Sequence, residues 1–312
     1  MKSKKNLCFV FMFVILFIFT GSLSIYAAGK GTSGAAFLKI GRGVRAIGMG
    51  GAFCAVADDA STIYWNPAGL TNTSDKEIVA AYTRWFADIT QVFLGYVHPL
   101  SEKNALGAGL LYLGATDTKR DEWGEDMGSF GITEMAPTIG YAHKFGNGIS
   151  IGGSVKYIYQ KLEDEVAGGF AFDIGGLYKT SIENLTLGVS IQNIGAEIKF
   201  IGEGDALPRN IKLGIAYKGS YSESISHSTQ NFTLALDTNL PSDGEMYVCI
   251  GGEYWVANII ALRVGYRTGP ADEGSGVTAG AGLRTERILL DYAFVPYGDL
   301  GNTHRISLGM KF

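Results

Sequence analysis

From Glu77 to the C-terminus the chain alternates apolar and polar positions with a period of two, segment after segment. Ile211, Leu213, Ile215 and Tyr217 oppose Lys212, Gly214, Ala216 and Lys218. Ile260, Leu262, Val264 and Tyr266 oppose Ala261, Arg263, Gly265 and Arg267, and Ile288, Leu290, Tyr292 and Phe294 oppose Leu289, Asp291, Ala293 and Val295. Side chains alternate faces along a strand, so each segment reads as a strand with one apolar face and one polar or small face. Fourteen such strands are expected, over 77–86, 90–98, 105–114, 132–145, 148–161, 168–180, 184–192, 207–219, 231–240, 245–256, 259–268, 275–284, 287–295 and 303–312. Many approach the 9–11 residues that a tilted strand needs to cross a bilayer, and the number is even, as in bacterial single-chain barrels.

The last strand decides which face is outside. Ile306, Leu308, Met310 and Phe312 share one parity and Arg305, Ser307, Gly309 and Lys311 the other. A strand that ends the sequence on its apolar face suits a barrel whose outside meets lipid and whose last strand pairs with the first. Phe312 also resembles the C-terminal assembly signal of bacterial outer-membrane proteins. The reading is therefore an all-β, antiparallel transmembrane β-barrel of about 14 strands over residues 76–312. Its lumen carries Lys156, Lys179, Arg263 and Arg305 with Asp173, Asp237, Glu253 and Asp291, which are expected to pair across the interior. If the first strand rises from the periplasm, the odd connections are extracellular, and the third (115–131) and seventh (193–206) should be long loops. A periplasmic loop over 220–230 is the exception to short turns on the other side.

Two segments break the alternation. Lys2, Lys4 and Lys5 precede an apolar run from Leu7 to Thr20 and then a small-residue stretch, the order of a secretory signal peptide over 1–28 with cleavage after Ala27 or Ala28. The run falls short of the roughly 20 residues of a spanning helix. Residues 29–75 are glycine-dense, with a helix-compatible run around Asp58 to Tyr64 that Asp58 or Asp59 could cap and Pro67 would end. Placed ahead of the first strand, this segment is expected to fold into the lumen as a hatch. Asn66 is expected to close an Asx-type turn just before Pro67.

Composition narrows function mainly by exclusion. Glycine is abundant (44) and proline scarce (7), and the aromatic fraction is 12%. Glycine on inward strand faces suits a lumen packed closely against something inside. A net charge of −4 offers no basic footprint for nucleic acid. Gly41-Arg42-Gly43-Val44-Arg45-Ala46 fits a GxGxxA dinucleotide pattern, but the βαβ unit that pattern needs does not surround it. His98, His143, His227 and His304 share no metal-ligand spacing, no Ser/His/Asp arrangement is legible, and no cofactor, metal or catalytic group is expected. Cys54 and Cys249, the cysteines left after the leader, read as buried free thiols, with a disulfide the less favoured alternative.

The block GRGVRAIGMGGAFCAVADDASTIYWNPAGL, from Gly41 to Leu70, resembles the N-terminal signature of the PorV/PorQ family, within the wider group of FadL-like outer-membrane proteins. Asn66-Pro67-Ala68 matches the turn in the hatch of that group. The resemblance implies a fourteen-stranded barrel with an N-terminal hatch, lodged in the outer membrane by the barrel assembly machinery. It implies a type IX secretion role, binding or shuttling exported cargo proteins. The alternative is a FadL-like channel for hydrophobic ligands, and an outer-membrane enzyme is the third and least supported class.

Overall fold

The structure, a computed structural model, describes residues 33–86, 88–222, 229–269 and 275–312. The leader over 1–28 lies outside the described residues. Fourteen antiparallel strands close into a barrel in sequence order. They are β1 (Glu77–Arg84), β2 (Thr90–Pro99), β3 (Asn104–Arg120), β4 (Asp126–Lys144), β5 (Ile149–Leu162), β6 (Glu165–Lys179), β7 (Leu185–Gly195), β8 (Asn210–Ser222), β9 (Thr229–Pro241), β10 (Tyr247–Val256), β11 (Ile260–Arg267), β12 (Val277–Arg284), β13 (Ile288–Pro296) and β14 (Asn302–Lys311). β1 pairs with β14 from Glu77↔Lys311 to Arg84↔His304, so no sheet edge remains open. The rim where β1 begins and β14 ends is called the lower rim; the connections after odd-numbered strands form the upper rim.

Burial follows the parity read from the sequence. Leu262 is 56% exposed and its neighbour Arg263 only 5%; on β14, Leu308 is 56% exposed and Ser307 only 2%. The apolar parity thus faces outward and the polar parity inward, the reverse of a soluble sandwich. Leu213 departs from this: it lies on the outward parity but is buried, flanked in register by Val189 and Thr238. Leu262 and Leu290 are the better probes of the lipid face. Leu262→Arg should cost about 2–4 kcal/mol if the site sits near mid-bilayer, measured as a shift in the reversible unfolding transition of the barrel. An unshifted transition would mean that this face does not meet lipid.

The long third loop was not found. β3 and β4 continue through most of 115–131 as a hairpin, with register partners out to Arg120↔Asp126, leaving only residues 121–125 as the turn. Beyond Gly114 the apolar parity of β3 gives way to Thr116, Asp117, Thr118 and Lys119, so the alternation that marks a strand fades there although the ladder persists. β8 and β9 likewise extend to Ser222 and from Thr229, into the segment expected as the 220–230 loop. The wall is therefore uneven: β3 and β4 have 17 and 19 residues, whereas β1, β11 and β12 have 8 each.

Phe312 points outward, 57% exposed, with its ring 6.4 Å from Tyr96 and its amide donating to the Lys76 carbonyl (3.0 Å). It contributes little packing, so Phe312→Asp should leave a folded barrel's stability nearly unchanged while lowering its yield in the outer membrane. Equal yields of heat-modifiable barrel from both chains would remove the assembly role.

Candidate functional site

The segment ahead of β1 lies inside the barrel as a hatch. It comprises a 3-10 turn at Ala36–Lys39, the short helices α1 (Val44–Gly48) and α2 (Thr62–Trp65), and a second 3-10 turn at Pro67–Asn72. No helix here is long enough to satisfy its own backbone, so the wall must supply partners. Asp237 on β9 accepts from the amides of Phe53 (2.8 Å) and Cys54 (2.7 Å), and Glu77 on β1 accepts from Ala60 (3.0 Å). Gln192 on β7 donates to the Trp65 carbonyl (3.1 Å), Arg305 on β14 to Gly41 (2.9 Å) and Thr278 on β12 to Gly48 (3.2 Å).

Close approach is possible because glycines face the hatch from strand after strand. In register, Gly188 on β7 pairs with Gly214 on β8, which pairs with Asp237 on β9. A Cβ at Gly265 would sit 2.0 Å from the Gly50 amide nitrogen, and one at Gly175 would sit 2.0 Å from the Asn66 side-chain oxygen. The first contact is with backbone, and the second is with an oxygen fixed by its bond to the Ala68 amide, so these positions require glycine for steric reasons.

Asn66 is fully buried. Its Oδ1 accepts from the Ala68 amide (3.1 Å), closing the turn in which Pro67 opens the second 3-10 segment. Its Nδ2 donates to the carbonyls of Cys54 (2.9 Å) within the hatch and Gly176 (3.2 Å) on β6. One amide therefore ties the turn to both the hatch interior and the wall. Pro67 and Ala68 are buried beside it, with Pro67 backbone against Gly152.

Asp58 and Asp59 do not cap α2. The residue before that helix is Ser61, whose side chain makes no capping bond. Asp59 instead accepts from the Ser61 amide (2.9 Å) in a preceding turn, which delays the helix to Thr62. Both acids face Arg45, at 2.6 Å (Asp58) and 3.2 Å (Asp59). Arg45 also makes a bidentate contact with Glu253 on β10 (2.7 Å for each nitrogen). Glu253 in turn holds Arg263 on β11, which holds Asp291 on β13, while Asp58 reaches Lys218 on β8. Burial alone would raise the Asp58 carboxyl, but Arg45 and Lys218 outweigh it and hold the group below the usual carboxylate range. Arg45 was legible only as part of the GxGxxA decoy; its pairing with two acids 13 and 14 residues on is a tertiary fact.

The lumen charges do not pair across the interior, because the hatch fills it. They pair side by side along the wall, as Lys156–Asp173 (2.8 Å) and Arg263–Glu253 (2.7 Å), or they serve the hatch backbone, as Asp237 and Arg305 do. Cys54 and Cys249 are buried free thiols, and burial pushes the Cys54 thiol well above its ordinary value. Among the described residues no group of three or more His, Cys, Asp and Glu side chains could hold a metal. His98, His143 and His304 each bond a Tyr or Asn side chain; His227 lies outside the described residues.

Above the hatch, toward the upper rim, lies a cavity of about 480 Å3. Tyr64 and Trp65 (ring centroids 5.2 Å apart) form its floor, and Trp85 and Tyr297 (4.9 Å) line one side. Only Tyr64 and Trp65 are neighbours in sequence; Trp85 and Tyr297 follow β1 and β13, at opposite ends of the barrel sequence.

The architecture is shared with known channels. Over 87% of this chain and 98% of its own, the CymD monoaromatic hydrocarbon channel superposes with a TM-score of 0.59 at 13% identity. The Pseudomonas putida toluene transporter TodX does so over 92% and 98%, with a TM-score of 0.54 at 15% identity. At these identities the likeness is one of fold alone. No curated protein matches the sequence significantly. The profile of type IX secretion system protein PorV matches residues 28–236, hatch and the first strands of the barrel together, and the chain belongs to the PorV family.

Proposed function

We propose that this protein is a non-enzymatic outer-membrane component of type IX secretion that binds exported proteins at its upper rim while the hatch keeps the lumen closed. The observation that carries this reading, beside the family match, is the uneven wall. The β3–β4 hairpin continues well past the hatch and presents Trp123 (80% exposed) and Met127 (62%) at its tip; Ile201 (74%) is exposed on the loop after β7, beyond the β5–β6 hairpin round the same rim. Apolar side chains held in water on a rigid ribbon suit a protein partner. In this reading the Asn66-Pro67-Ala68 turn sets the seat of the hatch, the barrel machinery delivers the chain to outer-membrane lipid, and cargo never enters the lumen.

The test is direct binding of a purified type IX C-terminal sorting domain from the same cell. Wild-type protein should bind it, and a chain with residues 118–128 replaced by a tight turn should lose at least tenfold in affinity while keeping a heat-modifiable barrel. Undiminished binding by the shortened hairpin would overturn the assignment of this surface.

The alternative, a carrier for hydrophobic molecules, is favoured by one observation. Pro137 lacks an amide hydrogen, and the β4–β5 ladder is interrupted between Met135↔Tyr159 and Thr138↔Lys156. The gap faces a void of only about 20 Å3 beside Arg42, distinct from the cavity above the hatch. Retention of a neutral aromatic solute behind this barrel in vesicles, at the rate of protein-free vesicles, would dispose of the carrier reading.

A further inference from the structure

Lys212 is the anomaly of the lumen. It is 4% exposed, and its ammonium lies 4.3 Å from the centre of the Trp65 ring. Among the described residues that ammonium has neither a hydrogen-bond acceptor nor an ion-pair partner. Asp237 feels its charge but directs one carboxylate oxygen to the amides of Phe53 and Cys54 and does not pair with it. Every other hatch-facing cation described above has an acceptor: Arg45, Lys156, Arg263 and Arg305 all do. An ammonium that faces this cavity with only an indole ring beside it lacks a counter-charge, which an anion in the cavity would supply.

Lys212 lines the cavity above the hatch. Among the other charged side chains described in its walls, Lys39 is held by Asp243 (2.7 Å) and Arg305 donates to the Gly41 carbonyl (2.9 Å). The remaining lining is aromatic and apolar: Tyr64 and Trp65 below, Trp85 and Tyr297 at the side, Ile40 and Val295 between. A bare inorganic anion would satisfy Lys212 and leave most of about 480 Å3 unfilled, whereas a neutral hydrocarbon would fill the space and leave the ammonium alone.

We propose that this cavity binds a compact organic anion, a carboxylate with an aromatic or short aliphatic body, with its charge on Lys212 Nζ and its body against Trp65 and the neighbouring rings. The charge-assisted hydrogen bond supplies the orientation and the rings supply the contact area. The site depends on neither reading of the barrel's main role: capture of a protein at the rim needs no ligand in the cavity, and passage of a neutral solute needs no lysine.

The probes are benzoate, phenylacetate and hexanoate, with phenylacetamide, toluene and inorganic phosphate as comparators, titrated calorimetrically into the full barrel in a non-ionic detergent. At least one of the three carboxylates should bind saturably. Phenylacetamide, toluene and phosphate should each bind at least tenfold more weakly than the best carboxylate. Lys212→Met should weaken carboxylate binding at least tenfold, and Lys212→Arg should stay within about threefold of wild type. The acid-against-amide comparison on the wild-type chain needs no variant, so it decides the matter even if Lys212→Met fails to assemble. The proposal is overturned by no saturable binding of any carboxylate, by phenylacetamide or toluene matching the acids, by phosphate matching them, or by an assembled Lys212→Met barrel that binds as wild type does.

Discussion

Replacing Arg45 with methionine should loosen the hatch more than any other single change in it. The guanidinium is almost wholly buried and faces Asp58, Asp59 and Glu253. Removing one partner of a buried ion pair typically costs about 3–5 kcal/mol, because the other partner is left charged and dry. Glu253 would keep Arg263 and Asp58 would keep Lys218, so the lower end of that range is expected. Cys54 offers a built-in reporter: its thiol is buried between hatch and wall and burial holds its pKa up, so a maleimide should leave it unmodified in the intact protein. In Arg45→Met it should label readily at neutral pH, while Arg45→Lys, which keeps the charge but not the bidentate geometry, should fall between. Unchanged Cys54 labelling in the methionine variant would show that the network does not latch the hatch. Acid should act in the same direction. The Asp58 carboxyl is depressed in the folded protein, so its contribution is complete above the ordinary aspartate value of about 4 and declines as the pH drops below it.

The barrel was legible because its signal is local and repeated. A strand such as 260–267 declares its outward face through Ile260, Leu262 and Val264 without reference to any neighbour, and all fourteen strands were found this way. What failed was also local in cause. Beyond Gly114 the apolar parity of β3 gives way to Thr116, Asp117, Thr118 and Lys119, so nothing local marks the hairpin through Asp117↔Phe130 as strand. Leu213 has the right parity, but its accessibility depends on the side chains of β7 and β9. The Asn66 turn was visible because an Asx turn involves residues two apart. The second role of Asn66, its bond to Gly176, spans 110 positions and leaves no trace in the local pattern. The same holds for Lys212 and Trp65: the alternation puts Lys212 on the inward face, but nothing in either segment shows that its ammonium meets the Trp65 ring.

Deleting residues 33–74 should turn a closed barrel into a conducting one. Barrels of eight strands are filled by their own side chains, and those of 16–18 enclose a water channel. Fourteen strands lie between, and here the inner wall at the level of the hatch is lined by glycines that contribute no filling at all, among them Gly175, Gly188, Gly214 and Gly265. The space they leave is taken by Met49, Phe53, Ile63 and Leu70, all fully buried. Without them the charged wall would be left to water, where Glu253, Asp237 and Arg305 can be hydrated instead of paired with hatch groups. The girdle of strand pairing, including β1 with β14, involves no hatch residue, so the deletion chain should still assemble. In planar bilayers the intact protein should show no steady conductance steps and the deletion barrel well-resolved ones. A folded deletion barrel that conducts no more than the intact protein would mean that residues 33–74 are not its seal, and the closed-lumen part of the proposed function would fall with it.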